Sequence, residues 1–246
     1  MPRPWLTLSS TLLHDLRILR VRQDRCQSPR TGQAHDLTIL EAPDWVNVIA
    51  LTADERVVLI HQYRFGVARV TLEIPGGMVD PGEAPAQAAA RELREETGYV
   101  AERWVSLGSI EPNPAIQGNR CHTFLGLGCR ATAATELDEK EDIDVEERPL
   151  SQIPRLLAEG VISHALVAVA FQRLDRRLAA LLAARGPRVR GTRQELADEL
   201  GTVREMVSRL IGRFERQGWV RAGRGEIDVL DAAALKSLAT DVLAPD

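Results

Sequence analysis

Gly77-Met-Val-Asp-Pro-Gly-Glu83, then seven residues, then Arg91-Glu92-Leu93-Arg94-Glu95-Glu96-Thr97-Gly98-Tyr99 is the stretch that decides how this chain folds. Residues 86–97 are rich in alanine and run into Gly98, a good left-handed cap, so they predict a helix. At about 100° per residue, Glu92, Glu95 and Glu96 fall on one face of it. Leu93 with Ala86, Ala89 and Ala90 lies on a different, apolar face suited to a sheet. Three carboxylates within one turn repel one another and weaken the helix. A hard divalent cation removes that penalty, because Mg²⁺ takes oxygen ligands and neutralises them. A solvated acidic face paired by Arg91 and Arg94 is the plainer alternative. The glycine-rich turn and Glu83 ahead of the helix weigh against it.

This stretch resembles the Nudix box, Gly-x5-Glu-x7-Arg-Glu-U-x-Glu-Glu-x-Gly-U with U a bulky aliphatic residue. It departs only in Tyr99 at the last U. The resemblance implies a hydrolase that cleaves a nucleoside diphosphate linked to another moiety, using Mg²⁺ or Mn²⁺. On this chain it implies Glu92 and Glu96 as metal ligands, with Glu95 nearby in the catalytic group and the Gly76 carbonyl assisting. Arg91 would orient the carboxylates through charge-assisted hydrogen bonds. Glu83 would be structural, tying the loop to the helix.

The surrounding residues extend the resemblance over roughly residues 1–175. Pro43-Asp-Trp-Val-Asn-Val-Ile-Ala-Leu-Thr52, Gln62-Tyr-Arg64 and Leu72-Glu-Ile-Pro-Gly-Gly77 look like the ADP-ribose pyrophosphatase branch. Pro114 stands fifteen residues after Tyr99, where that branch carries a marker proline. A rigid turn between strands would also use such a proline. By the same resemblance Pro114 and Arg64 are candidate substrate contacts. Residues 136–147 hold eight acids and one lysine, and resemble the loop that closes over the metals. Matched by position, Glu139 is a candidate general base and Glu141 a candidate metal ligand or second base. The implied products are AMP and ribose 5-phosphate.

Residues 46–52 and 56–60 flank a short polar turn and predict a hairpin, and 70–74, 100–110 and 121–129 read as further strands. Strands outnumber helices without regular alternation, which is α+β. The resemblance makes this a Nudix fold, a mixed sheet between helices. The Cys121-His122 pair lies in an apolar strand with no further ligand at metal spacing, so it reads as structural, as do His61 and His164.

Arg185-Gly186-Pro187 marks the best boundary, since glycine ends a helix and proline cannot continue one. Residues 1–185 are expected to form one domain with a final linker helix, and 187–246 a second. The stretch 188–225 carries nine arginines and five acids. Within it, residues 193–200 predict a helix stopped at Gly201, a second helix follows within three residues, and 219–229 predicts a hairpin broken at Gly223-Arg-Gly225. A short helix, a turn and a second helix with exposed arginine is the helix-turn-helix plan. It resembles the winged helix of the cyclic-AMP-receptor-protein/Fnr family. That family's Arg-Glu-x-x-x-Arg is present as Arg204, Glu205 and Arg209, with Val203 in place of the usual small polar residue. Arginine pairs with guanine and glutamate with cytosine in the major groove. Arg204, Glu205 and Arg209 are therefore candidate base readers of double-stranded DNA, and Thr192, Arg193 and Gln194 candidate phosphate contacts. A winged helix used only for protein contacts is the other reading.

Val167, Phe171, Leu174, Leu178 and Leu181 are spaced 4, 3, 4, 3, a seam that serves either packing on its own domain or a homodimer. The chain has 246 residues, 27% charged and 44% hydrophobic, with net charge −4, which excludes a uniformly basic coat. Its longest apolar runs, 165–171 and 178–184, are far short of the ~20 residues that span a bilayer. Three cysteines without a CxxC pair indicate neither a disulfide framework nor a zinc knuckle, and with no secretory signal the expectation is cytoplasmic. Three functions fit: an Mg²⁺-dependent pyrophosphatase coupled to a DNA-binding regulator domain, a transcription factor that only senses a nucleotide, or a plain enzyme whose C-terminal domain serves assembly.

Overall fold

The computed structural model describes residues 1–139, 141–200, 202 and 204–239. Lys140, Gly201 and Val203 therefore lie outside the described residues, as does the side chain of Glu205. In chain order the elements are β1 (Leu6–Asp15), β2 (Arg20–Gln27), β3 (Ala34–Glu41), β4 (Trp45–Thr52), β5 (Arg56–Arg64), β6 (Arg69–Glu73), α1 (Pro85–Thr97), β7 (Tyr99–Val100), β8 (Arg103–Ile110), β9 (Cys121–Ala131) and β10 (Ile143–Pro149). A 3-10 turn (Leu150–Gln152), α2 (Ile153–Ala158) and the long α3 (Ala165–Arg185) follow. The chain closes with β11 (Arg188–Arg190), α4 (Arg193–Leu200), α5 (Arg204–Arg216), β12 (Val220–Ala222), β13 (Glu226–Val229) and α6 (Ala232–Ala239).

The central sheet runs β10-β5-β4-β9-β7, with β6 on β5 and β8 on β9. It is mixed because β4 and β9 are parallel while β5 is antiparallel to β4, β6 and β10. Strand alternation divides its side chains between two cores. Val46, Val48 and Ala50 of β4 pack with Ala88, Ala89 and Leu93 of α1. Ile49 and Leu51, on the opposite face, pack with Val167, Phe171 and Leu174 of α3. This is a Nudix-like fold, a sheet between helices, followed by a helix-turn-helix domain.

Helix α1 starts at Pro85, where the missing N–H costs nothing, and Gln87 reaches back to the Ala84 amide at 3.1 Å. It ends at Gly98, whose φ of 72° and close approach to Ala133 exclude a side chain. The expected strand over 100–110 is broken in two, because residues 101 and 102 leave the ladder between β7 and β8. The apolar seam of α3 is used inside the chain: Val167, Phe171, Leu174 and Leu178 are buried and Leu181 packs against the same core. That core continues into Val189, Leu196, Val207, Leu210 and Phe214, so α3 joins both parts of the molecule. A seam so occupied has no face left for a coiled coil.

The three-stranded antiparallel sheet β1-β2-β3 is not among the strands the sequence predicts. Every residue of β1 is exposed, including Leu6, Leu8, Leu12 and Leu13. Among the described residues no helix is long and apolar enough to cross a membrane.

Candidate active site and DNA-reading face

The Pro75-Gly76-Gly77 turn lies against β4, with Val46 and Val48 amides donating to the Gly77 and Pro75 carbonyls at 2.9 Å each. A Cβ on Gly77 would overlap the Glu92 carboxylate, so glycine is what lets this loop and α1 meet. Glu92 and Glu96 point into that junction and are only 9% and 3% exposed. The Gly76 amide donates to Glu96 Oε2 at 2.8 Å. This bond fixes the Gly76 peptide beside the Glu96 carboxylate.

Arg91 ties the helix to the loop. Its Nε and Nη2 grip both oxygens of Glu83 at 3.0 and 2.9 Å, and Nη2 also donates to the Met78 carbonyl at 2.9 Å. Its Nη1 donates to Glu92 at 2.9 Å and to Glu95 at 3.2 Å. Glu83 in turn accepts from the Asp80 amide, which fits the structural role expected of it. Glu95 differs from its neighbours: it is half-buried, shared between Arg91 and Arg94, and does not line the cavity.

That cavity, about 900 Å³, is walled by Trp45, Arg64, Glu73, Arg91, Glu92, Glu96 and Glu141 among others. Burial pushes the Glu96 carboxyl up to about 8; the Gly76 amide opposes this, while Glu92 and Glu141 add to it. Burial likewise raises Glu92, against the pull of Arg91. Arg64 is clamped on Glu73 through two hydrogen bonds of 2.9 and 2.8 Å. Burial works against a charged Glu73, but Arg64 and Thr71 outweigh it and hold the carboxyl below its ordinary range.

Of the two loop candidates the structure brings in one. Glu141 N donates to the Asp138 carbonyl at 3.1 Å and Asp138 N to Glu141 Oε2 at 3.0 Å. Glu141 reaches the cavity, whereas Glu139 is exposed and is not part of its wall. Pro114 also lies outside, exposed on a turn closed by Gln117 N to the Asn113 carbonyl, and Gln117 lines the cavity in its place. Cys121 is buried with its thiol pushed up to about 12 by that burial, which suits a core residue and not a nucleophile. His122 bonds Asp44 at 3.0 Å.

The donor set fits a hard divalent cation. Glu141 adds to the cost of ionising the buried Glu92 and Glu96, and a bound cation would offset that cost. Among the described residues no three His, Cys, Asp or Glu side chains already converge as a complete ligand group. Backbone, water or substrate oxygens would have to complete the shell.

In the C-terminal part, Thr192 and Glu195 cap α4 reciprocally, the Glu195 amide on Thr192 Oγ1 at 3.1 Å and the Thr192 amide on Glu195 Oε2 at 2.7 Å. Gln194 bonds Asp198 at 2.8 Å, and Arg193 and Arg204 are exposed. Arg209 is different. Its Nη1 donates to the Leu150 carbonyl at 2.7 Å, and its Nη2 lies 3.3 Å from Met206 Sδ. Sequence reasoning had no signal for that contact, which joins residues 59 apart.

Comparison with known proteins agrees with this architecture. A NUDIX domain model matches residues 43–168, and a model of the Crp-like helix-turn-helix domain matches 172–238. The methanol dehydrogenase activator of Bacillus methanolicus is 31% identical over 170 residues, 69% of this chain and 91% of that protein. The ADP-ribose pyrophosphatase of Bacillus subtilis is 32% identical over 145 residues, 58% of this chain and 78% of that protein. The transcriptional regulator SdrP of Thermus thermophilus is 45% identical over 51 residues, 21% of this chain and 25% of that protein. A solved structure of an ADP compounds hydrolase shares the fold with a TM-score of 0.63 at 21% identity, covering 76% of this chain and 98% of that one. Nudix hydrolases generally use divalent metal ions. The chain belongs to the Nudix hydrolase family, resembles its ADP-ribose pyrophosphatases, and carries a Crp-like helix-turn-helix domain behind the Nudix domain.

Proposed function

We propose that this chain hydrolyses ADP-ribose or a related nucleoside diphosphate sugar to AMP and a sugar phosphate, with Mg²⁺ as cofactor and Mn²⁺ able to replace it. The observation that carries this is Glu96, a carboxylate 3% exposed and facing two others, Glu92 and Glu141. A bound divalent ion would polarise the phosphorus centre and make water a stronger nucleophile near neutral pH. Glu92, Glu96 and Glu141 would hold it, with Gly76 contributing backbone. Arg91 keeps Glu92 aimed, and Glu83 keeps Arg91 in place. Arg64, already fixed by Glu73, presents its positive charge to the diphosphate. Glu141 is the better placed carboxylate for accepting the proton of the attacking water, with Glu139 requiring a movement of its turn.

The C-terminal domain, which we place after Gly186, would bind double-stranded DNA through Arg204, Glu205 and Arg209. Thr192, Arg193 and Gln194 would sit at the backbone. A nucleotide-hydrolysing DNA binder belongs in the cytoplasm with its DNA. The assembly is a homodimer in this reading, supported by the exposed Leu6, Leu8, Leu12 and Leu13 of β1 rather than by α3. A sensing role without turnover fits the likeness to a methanol dehydrogenase activator less well than catalysis fits the intact carboxylates.

Incubating the protein with ADP-ribose and Mg²⁺ and following phosphorus by NMR tests the reading. Appearance of AMP and ribose 5-phosphate, with a loss of about a thousandfold or more in Glu96→Gln, is the expected result. Binding without turnover would make the chain a sensor, and neither would refute the substrate assignment.

A further inference from the structure

Helix α5 turns the flank of its DNA-reading face toward its own Nudix domain. Leu150, whose carbonyl takes Arg209, is not a free loop residue. Its amide donates to the Glu55 carbonyl at 3.0 Å, and it directly follows β10, which pairs with β5 from Ile143↔Gln62 to Pro149↔Arg56. Two more contacts hold the helix-turn-helix in this pose. Arg213 pairs with Asp175 of α3, and Arg103 of β8 donates to the Thr202 carbonyl at 3.3 Å. A guanidinium that is half-buried on a protein carbonyl is not available to a base edge, and freeing it means undoing these contacts.

We propose that the Leu150 carbonyl and DNA compete for Arg209, so that the chain as folded restrains its own DNA binding. This rests on the reading of the C-terminal domain as a DNA binder. The restraint is linked to the active site through β10, since Glu141 stands two residues before its first residue, Ile143. Ligand and metal that draw Glu141 inward fix the head of β10 and, through the ladder with β5, the position of Leu150. Ligand therefore reinforces the clasp and lowers DNA affinity. By linkage, DNA must lower ligand affinity by the same factor.

The test uses the full chain, a fluorescently labelled duplex pool of randomised sequence at low salt, and methylene-bridged ADP-ribose with Mg²⁺ as the ligand probe. Asp175→Asn should bind the duplex about tenfold more tightly than wild type, the scale of one charge-assisted hydrogen bond. Arg103→Ala, a surface change that spares both cores, should move binding the same way by a smaller factor. Both should leave Nudix turnover unchanged. The analogue should weaken DNA binding by wild type and much less by Asp175→Asn. Hydrogen exchange at residues 150–152 should quicken in Arg209→Ala without any DNA present, a change that a base contact alone would not cause. Equal DNA affinity in wild type and both variants, or no effect of bound analogue on wild type, would overturn the inference. Absence of DNA binding in every form would instead remove the DNA-binding reading itself. Calorimetry of the analogue alone reports separately on the Nudix site.

Discussion

Helices α1 and α5 each bury charge of one sign, and they settle it in opposite ways. On α1 the buried groups are carboxylates, Glu92 and Glu96, and the charges nearest Glu96 include two more acids. Arg91 is largely occupied by Glu83 and the Met78 carbonyl, and among the described residues Glu96 is left with a single backbone amide as hydrogen-bond donor. On α5 the half-buried groups are arginines, and each already has an acceptor within the chain, Leu150 for Arg209 and Asp175 for Arg213. A helix with unsatisfied charge is waiting for a ligand from outside. A helix with satisfied charge must lose something before it can take one. The first arrangement suits the metal site proposed above, the second the proposed restraint on a recognition helix.

The largest effect that sharpens this contrast concerns the acidic loop. Glu141→Gln should lower turnover by about a hundredfold, while Glu139→Gln should stay within about threefold of wild type in steady-state assays. The reverse order would show that the hydrogen bonds between Asp138 and Glu141 break before catalysis. A smaller effect concerns stability in the metal-free protein. With its carboxyl pushed up to about 8, folded Glu96 holds a proton that the unfolded chain releases near the ordinary glutamate value of 4.5. The folded state then binds more protons between those two values, so stability falls as pH rises through that window. Thermal melting should show Tm dropping by several degrees from pH 5.5 to 8 without metal. Saturating Mg²⁺ or Glu96→Gln should flatten the profile, and a metal-free profile that rises over this window would break the account. On α5 the smallest effect is expected: Arg204→Ala should lose discrimination between bases worth about 1–3 kcal/mol in competition binding, with non-specific affinity nearly kept.

The Nudix box was legible because its chemistry is local. Spacing along one helix puts Glu92 and Glu96 side by side whatever the rest of the chain does, and Gly77 is explained by the same close approach. The helix-turn-helix was legible for a similar reason, since the apolar spacing of Leu196, Leu200, Val207, Leu210 and Ile211 turns them all into the core. What the sequence hid depends on distant partners. Strand β10 sits inside an acidic run, and its charges read as a solvated loop until Arg56, His61 and Tyr99 are seen to meet Glu147, Glu146 and Glu147. Strand β1 hid for the opposite reason: its leucines are exposed and mark no core of this chain. Glu139 and Glu141 are equivalent by composition, and the hydrogen bonds between Asp138 and Glu141 distinguish them. Arg204 and Arg209 belong to one motif, yet Arg204 is exposed while Arg209 donates to the distant Leu150 carbonyl.

The central claim is that α1 buries carboxylates because a divalent cation belongs among them. Titrating the metal-free chain with Mn²⁺ at neutral pH, and counting free ion by electron paramagnetic resonance, tests it without any assumption about substrate. The account predicts saturable binding by wild type that weakens by about a hundredfold or more in Glu96→Gln, whose fold stays intact. Equal binding in the two proteins, or none in wild type with or without ADP-ribose, would contradict it.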